Sequence, residues 1–208
     1  MTLQIVIPGE FTTPGLPDLG VRGFSDTFTR PDATTLGNTE KPKRPWLLWP
    51  QGETVEGGVT GGRGYVRSTT TAARRFAFAD AKISDGSIEA TIAGIDTAFS
   101  SNQFGVAARA SSERYAWLFY AHSTTEFRLS SLINNTMTDV QVVTAVTPKA
   151  GDVLRLTVDG DQITGYVNGV ARASTTSSQL QTNTLFGVYA NSTTTANLVD
   201  NVHVTPTA

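Results

Sequence analysis

The sequence lacks cysteine altogether and has only two histidines among its 208 residues. Disulfides are therefore excluded, and a zinc site of the usual cysteine and histidine type cannot be assembled. Charged residues make up only 16% of the chain, and the formal net charge is -2. Nucleic acid is not an expected partner, because binding to its phosphates requires clustered Lys and Arg.

Long apolar runs are also missing. No stretch approaches the roughly 20 apolar residues of a membrane-spanning helix, so no membrane partner is expected. The N-terminus, MTLQIVIPGEFTTPG, has no basic segment before its short apolar run, and we do not expect it to act as a secretion signal. These absences suit a protein made in a reducing cytosol.

Patterns typical of β-strands fill most of the chain, and no window of a dozen residues has helical periodicity. Leu154, Leu156 and Val158 alternate with polar residues ahead of a turn at 159–161, and a second turn follows at 168–169. This predicts a three-stranded meander. Further short runs have the same character: RRFAFAD, GSIEATIAG, FGVAARA, YAWLFYAH, EFRLSSLI, LFGVYA and ANLVDNVHVT.

So many short strands exceed what one open sheet accommodates. The predicted fold class is therefore all-β: a two-sheet antiparallel, jelly-roll-like sandwich that forms one domain over residues 21–208. Residues 39–64 are rich in Pro and Gly, which predicts long loops with at most short strands.

Residues 1–20 are predicted to form an extended N-terminal arm. TLQIVI is apolar enough for a short strand, and a Pro- and Gly-rich spacer separates it from the domain. Such a strand could add to a neighbouring subunit, which would give a homo-oligomer attached to other proteins. The alternative is a tail lying on its own domain, and the sequence favours neither.

Arg109, Tyr115, Trp117 and Arg128 are the candidate ligand-binding residues. If they alternate outward on one sheet face, aromatic rings beside guanidinium groups suit sugar or protein recognition. In YAWLFYAH, however, both faces carry aromatic residues. Periodicity therefore leaves open whether Trp117 is exposed or belongs to the core.

Asp26 and Asp200 are the candidate ligands for a metal ion, which would be calcium because calcium requires only oxygen ligands. They lie near the first and last core strands, which pair in jelly rolls. The alternative is that both aspartates cap turns or accept backbone N–H bonds. No other cofactor is expected.

Catalysis is predicted to be absent. Glycoside hydrolysis requires a pair of carboxylates beside the scissile bond, and no strand presents the Glu-x-Asp-x-Glu alternation that sandwich-fold glucanases use. His122 and His203 are expected to be solvated strand residues, and no G-x-S-x-G elbow is present. The sequence alone thus indicates a protein that is not an enzyme.

Several motifs in this order resemble the concanavalin-A-like, laminin-G-like sandwich domains found in minor tail and other virion proteins of actinobacteriophages. The resemblance spans residues 23–205. It is carried by SDTFTRPDATTLGN, the Trp-containing loop with GGRGYV, GVAARASSERYAWLFY, GDVLRLTVDGDQITGYVNGV and VDNVHVT. The chain departs from the usual pattern where TEKPKRP precedes Trp46.

The resemblance implies a structural or adhesive virion component, assembled in the bacterial cytoplasm. The first hypothesis is a minor tail protein that contacts other virion proteins through its arm and displays the sandwich toward host cell-wall polysaccharide. A capsid decoration protein without a ligand is the second. A glycan-binding module or a glycan hydrolase of the same fold is the third, because this fold hosts all of these roles.

Overall fold

The computed structural model describes residues 20–50, 54–71, 73–96, 103–122 and 124–207. The predicted arm over residues 1–20 lies outside these ranges except for Gly20, so the arm and the domain boundary at residue 21 stay predictions. Among the described residues, no helix has the length and apolar character that crossing a membrane requires.

The described part of the chain contains fifteen β-strands. They are β1 (Phe24–Asp26), β2 (Leu47–Trp49), β3 (Val55–Thr60), β4 (Arg63–Ser68), β5 (Arg74–Asp80), β6 (Gly86–Gly94), β7 (Gln103–Ser112), β8 (Tyr115–His122), β9 (Glu126–Ile133), β10 (Thr136–Val143), β11 (Val153–Asp159), β12 (Gln162–Val167), β13 (Val170–Thr176), β14 (Leu185–Asn191) and β15 (Leu198–Pro206).

The strands form two sheets. Sheet I has the order β13-β12-β11-β6-β15-β4-β3, and β1 also pairs with β15. Sheet II has the order β10-β9-β8-β7-β14-β5-β2. All pairings between these strands are antiparallel. The predicted two-sheet antiparallel sandwich is therefore confirmed.

The main core lies between the two sheets. On sheet I, alternate residues of β6 and β11 point inward, so buried Ile88 and Leu156 are followed by half-buried polar neighbours. Sheet II contributes the inward residues of β7, β8, β9 and β14, which include four phenylalanines: Phe104, Phe119, Phe127 and Phe186.

The region predicted as long loops, residues 39–64, contains more strand than expected. It includes β2, β3 and the start of β4, and β3 and β4 form a regular hairpin. Position 64 of this hairpin is a glycine, and a Cβ atom there would stand 2.8 Å from the buried ring of Phe28. The glycine content of residues 39–64 therefore reflects close packing as well as turns.

Candidate functional site

The outward face of sheet II carries a second apolar cluster, separate from the core between the sheets. Phe76 and Phe78 of β5, Tyr189 of β14 and Tyr120 of β8 form its aromatic part, and all four are fully buried. The Phe76 ring lies 5.1 Å from Phe78 and 5.2 Å from Tyr189, and the Tyr189 ring lies 5.3 Å from Tyr120. We call these four residues the outer aromatic cluster.

A glycine makes this contact across β7 geometrically feasible. Gly105 pairs with Tyr120 on one side and with Tyr189 on the other. A side chain at position 105 would point outward between the two tyrosine rings, so its absence lets them meet above the strand. The edge-on arrangement of the tyrosines, with an interplanar angle of 71°, is a favoured aromatic geometry.

Two hairpin tips, residues 113–114 and 134–135, cover part of this face. Three strands separate β5 from β9 in sheet II, yet Arg74 of β5 donates through Nη2 to the carbonyl (3.0 Å) and to Oδ1 (2.7 Å) of Asn135. Asn135 N–H also donates to the Arg114 carbonyl and joins the two tips. Small and aliphatic residues near these tips belong to the same buried cluster as Phe76: Ala110, Ala116 and Leu132, with Met137 partly buried. The tips therefore fold across the sheet.

A polar cluster lies beside the aromatic rings, on β8, β9 and β10. Arg128 donates through Nε to Glu126 Oε1 at 2.7 Å and through Nη1 to Asp139 Oδ2 at 2.6 Å, and Nη2 also donates to Glu126. The hydroxyls of Tyr120 and Ser130 both donate to Asp139 Oδ1, at 3.2 Å and 2.7 Å. One guanidinium is thus held between two carboxylates. We call Tyr120, His122, Glu126, Arg128, Ser130 and Asp139 the polar cluster.

The polar cluster is partly open to solvent. Side-chain exposure is 23% for Arg128, 16% for Glu126 and 34% for Asp139. His122 Nδ1 lies 3.5 Å from Glu126 Oε1. Water and small polar molecules therefore reach the charged end of the outer face, while its aromatic part is closed.

Protonation in the polar cluster follows from burial and the Arg128 charge. Burial raises the pKa of Tyr120 to about 12, so the phenol stays a hydrogen-bond donor at neutral pH. Burial also lowers the pKa of His122, and the positive charge of Arg128 lowers it further, against the opposing effect of Glu126 and Asp139. The imidazole is neutral at neutral pH.

Of the four predicted ligand-binding residues, the structure places only Arg128 in this cluster. Tyr115 is half-buried at the start of β8 and pairs with Ser112, away from Arg128. Of the two placements that periodicity left open for Trp117, the structure has the core placement, because the residue is 2% exposed and lies between the sheets. The outward position that ligand binding would require is not observed. Both faces of β8 are buried, which explains why both carry aromatic residues.

The outward placement of Arg109 was also wrong. A register shift interrupts the pairing of β7 with β8 after Ala108, and Arg109 adopts a positive φ of 47°. This irregularity turns its side chain, which is 0% exposed, toward the Ser84 carbonyl and the Asp85 carboxylate. Arg109 therefore serves packing at one end of the sandwich.

Asp26 and Asp200 do not form a calcium site. The Asp26 carboxylate is fully buried and accepts hydrogen bonds from Phe28 N–H, both terminal nitrogens of Arg30, and Trp46 Nε1. Its oxygens are committed to these donors, so the residues present do not fit a metal ion. Nor do the described ranges contain any group of three or more His, Asp or Glu residues placed to hold one.

Sequence reasoning missed Glu126, Asp139 and Tyr189 as site residues. Asp139 lies on β10, a strand that was not predicted because TMTDVQVV has an irregular pattern and a register shift after Asp139. A usable signal was the alternation of Glu126, Arg128 and Ser130 in EFRLSSLI, which places three polar side chains on one face.

Comparisons with known proteins support the fold. No protein-family model matches the chain, and no curated protein sequence matches it. A LamA variant from Zobellia galactanivorans, solved with laminaritriose and laminaritetraose, matches at 10% identity over 88% of this chain and 98% of that chain, with a TM-score of 0.53. The catalytic domain of an endo-1,3-beta-glucanase from Thermotoga petrophila matches at 11% identity over 87% and 95%, with a TM-score of 0.52.

A third match, the carbohydrate-binding module CBM66 from Bacillus subtilis, has 13% identity over 86% of this chain and 91% of that chain, and a TM-score of 0.48. The two matches with TM-scores above 0.5 confirm the jelly-roll-like, concanavalin-A-like architecture at the level of fold alone. None of these matches shows that this chain itself belongs to a phage particle.

The prediction that the chain is not an enzyme is corrected by these findings. It depended on the missing Glu-x-Asp-x-Glu alternation, but the chain shares its fold with the catalytic domain of a glucanase. Two carboxylates, Glu126 and Asp139, also lie together on one sheet face. Fold and composition therefore do not exclude hydrolysis.

Proposed function

We propose that the chain recognises a glycan through the polar cluster on the outer face of sheet II. The supporting observation is the bonding capacity that Arg128 and Glu126 retain. A guanidinium has five N–H donors, and the described contacts of Arg128 use one on each of its three nitrogens. Two N–H groups remain, and the described hydrogen bonds to Glu126 both use Oε1.

This capacity matches the chemistry of a sugar. One hydroxyl of a vicinal pair can accept from the remaining Arg128 N–H groups while its neighbour donates to Glu126 Oε2. Asp139 and Glu126 hold the guanidinium in place from both sides, so little rotamer freedom is lost on binding. The fold likeness to a protein solved with laminari-oligosaccharides makes β-glucans the first ligands to test.

The test is isothermal titration of the full chain with laminari-oligosaccharides and co-sedimentation with insoluble cell-wall polysaccharides. Arg128→Gln should weaken binding roughly tenfold or more, because a charge-assisted hydrogen bond is lost. Arg67→Gln is the matched control, since Arg67 is also a partly exposed strand arginine, paired with Glu56 at 3.1 Å but on sheet I. Equal binding by both variants would overturn the proposal.

Hydrolysis is the second candidate, favoured by the two carboxylates within hydrogen-bond reach of one guanidinium. Release of new reducing ends from laminarin, lost in both Glu126→Gln and Asp139→Asn, would support it. Saturable binding without release of reducing ends would support glycan recognition and contradict hydrolysis.

The biological setting we propose is a phage particle, with the sandwich displayed toward the host surface. Its support is the order of sequence motifs over residues 23–205, not the site geometry. Mass spectrometry of purified particles from a phage that encodes the chain tests this setting, and absence of the chain from them would contradict it.

A further inference from the structure

A second polar recess opens where the hairpin tips meet the body of the sheet. It is a cavity of about 220 Å³, lined by Pro50, Ala73, Arg74, Arg75, Glu113, Arg114 and Asn135. The body contributes Pro50 and residues 73–75, whereas the tips contribute Glu113, Arg114 and Asn135. We call it the seam cavity.

Positive charge dominates the seam cavity. Its described lining includes three arginines and one glutamate, in a chain with a formal net charge of -2. The polar cluster has the opposite balance, since two carboxylates surround one guanidinium there. The two sites therefore differ in the sign of the group they attract.

Two of the arginines have donors to offer a ligand. Arg74 commits only Nη2 to Asn135, and its Nε and Nη1 donate to no other described residue. Arg114 has a side-chain exposure of 59%, and its nearest carboxylate oxygen, on Glu113, lies 3.4 Å away. These two guanidinium groups come from opposite sides of the seam and line the same cavity.

Arg75 lies in the wall of the cavity. It is buried and donates through Nη1 to the Arg74 carbonyl at 2.9 Å and through Nη2 to Ser68 Oγ at 3.2 Å. Its bond to the Arg74 carbonyl fixes the backbone from which the Arg74 side chain extends. The positive wall is therefore preorganised.

We infer that the seam cavity binds the carboxylate of an acidic sugar residue, with Arg74 and Arg114 as the two cationic contacts. This inference deepens the proposed glycan recognition and rests on it. Pockets for drug-sized ligands measure roughly 300 to 1,000 Å³, so this smaller cavity suits one charged sugar unit rather than a long chain segment. Planar carboxylates match the fork geometry of arginine donors.

The test is titration of the full chain with oligogalacturonate and with a neutral laminari-oligosaccharide of equal length. The acidic ligand should bind at least tenfold more tightly at low salt, and Arg74→Gln or Arg114→Gln should each remove about tenfold of that affinity. Arg63→Gln is the matched control, because Arg63 is an exposed arginine at the β3–β4 turn. Melting temperatures verify that each variant folds.

Equal affinity for the two oligosaccharides, or oligogalacturonate binding unchanged by both arginine substitutions, would overturn the inference. Inorganic sulfate that displaces oligogalacturonate as effectively as monomeric galacturonate would also overturn it, because the site would then bind oxyanions without the sugar. Failure of this inference can be distinguished from failure of the proposed function. Neutral glycan binding that depends on Arg128 would keep that proposal standing even if the seam cavity bound nothing.

Discussion

The outward faces of the two sheets are built differently. On sheet I, β6 and β11 alternate between buried and half-buried residues, so the outward side is polar and meets solvent. On sheet II, β5, β7, β8 and β14 are almost continuously buried along their length. The outward face of sheet I is therefore exposed to solvent, whereas the outward face of sheet II is buried as a second core.

This difference shows that the hairpin tips act as a third layer. A sheet face becomes apolar only when something covers it. The Arg74 contact with Asn135 places the tips across sheet II, and the tips bury the outer aromatic cluster. On this face of sheet II, the described openings to solvent are the polar cluster and the seam between tips and body.

The largest expected effect comes from truncating the outer aromatic cluster. Phe78→Ala should lower the free energy of unfolding by roughly 3 to 5 kcal/mol, the range for a buried aromatic residue, and Trp117→Ala in the main core should cost about the same. Thr157→Ala on the outward face of sheet I is the control and should stay within about 0.5 kcal/mol. Urea denaturation with unchanged slopes measures all three. A Phe78→Ala cost close to that of Thr157→Ala would refute the second core.

A smaller effect is expected from removing the side-chain acceptor of the hairpin tip. Asn135→Gly keeps a residue that tolerates the positive φ of 65° but loses the Oδ1 atom that Arg74 contacts. We expect a loss of about 1 kcal/mol and faster amide exchange in residues 113–114 and 134–135. The control is Asn134→Gly, with a φ of 48° and no described contact with Arg74. Equal exchange rates in the two variants would contradict a closing role for this bond.

The outward face of sheet I should tolerate the loss of a ring. Arg155 lies over the Tyr166 ring at 4.0 Å from its centroid. Tyr166→Leu should cost only about 0.5 kcal/mol from this cation–π contact, because the pair is partly solvated. A double-mutant cycle with Arg155→Leu isolates the pair energy. A coupling as large as the Phe78→Ala effect would erase the contrast between the two outward faces.

Sequence periodicity predicted the alternating faces of β11 and β12 in sheet I but left the faces of β8 in sheet II open, for one physical reason. Alternation identifies the inward face only where the other face meets solvent, as for Leu154, Leu156 and Val158. In β8, Trp117 and Tyr120 point to opposite faces, and both are buried. The pattern of YAWLFYAH could not reveal a covering layer that comes from distant hairpin tips.

The candidate site was even less accessible to prediction. Arg128 was identified from its strand, but its partner Asp139 required knowledge of β10 and of the register shift within it. Arg109 was misplaced because a local irregularity reversed its direction. The seam cavity depends on the Arg74 contact with Asn135, which lies 61 positions away in the chain.

The smallest expected effect is a pH dependence that distinguishes the polar cluster from the solvated face of sheet I. Burial and the Arg128 charge lower the folded-state pKa of His122 below the ordinary histidine value of 6.5, despite Glu126 and Asp139 nearby. As the pH falls through 6.5, the unfolded chain therefore takes up a proton at His122 that the folded chain does not, and stability is lost until the lowered folded pKa is reached. His122→Gln removes this loss, so its melting temperature should fall less than that of the natural chain between about pH 7.5 and 5.5. His203→Gln, at an exposed position of β15, is the matched histidine control. Identical pH profiles for the natural chain and His122→Gln would contradict the lowered pKa of His122.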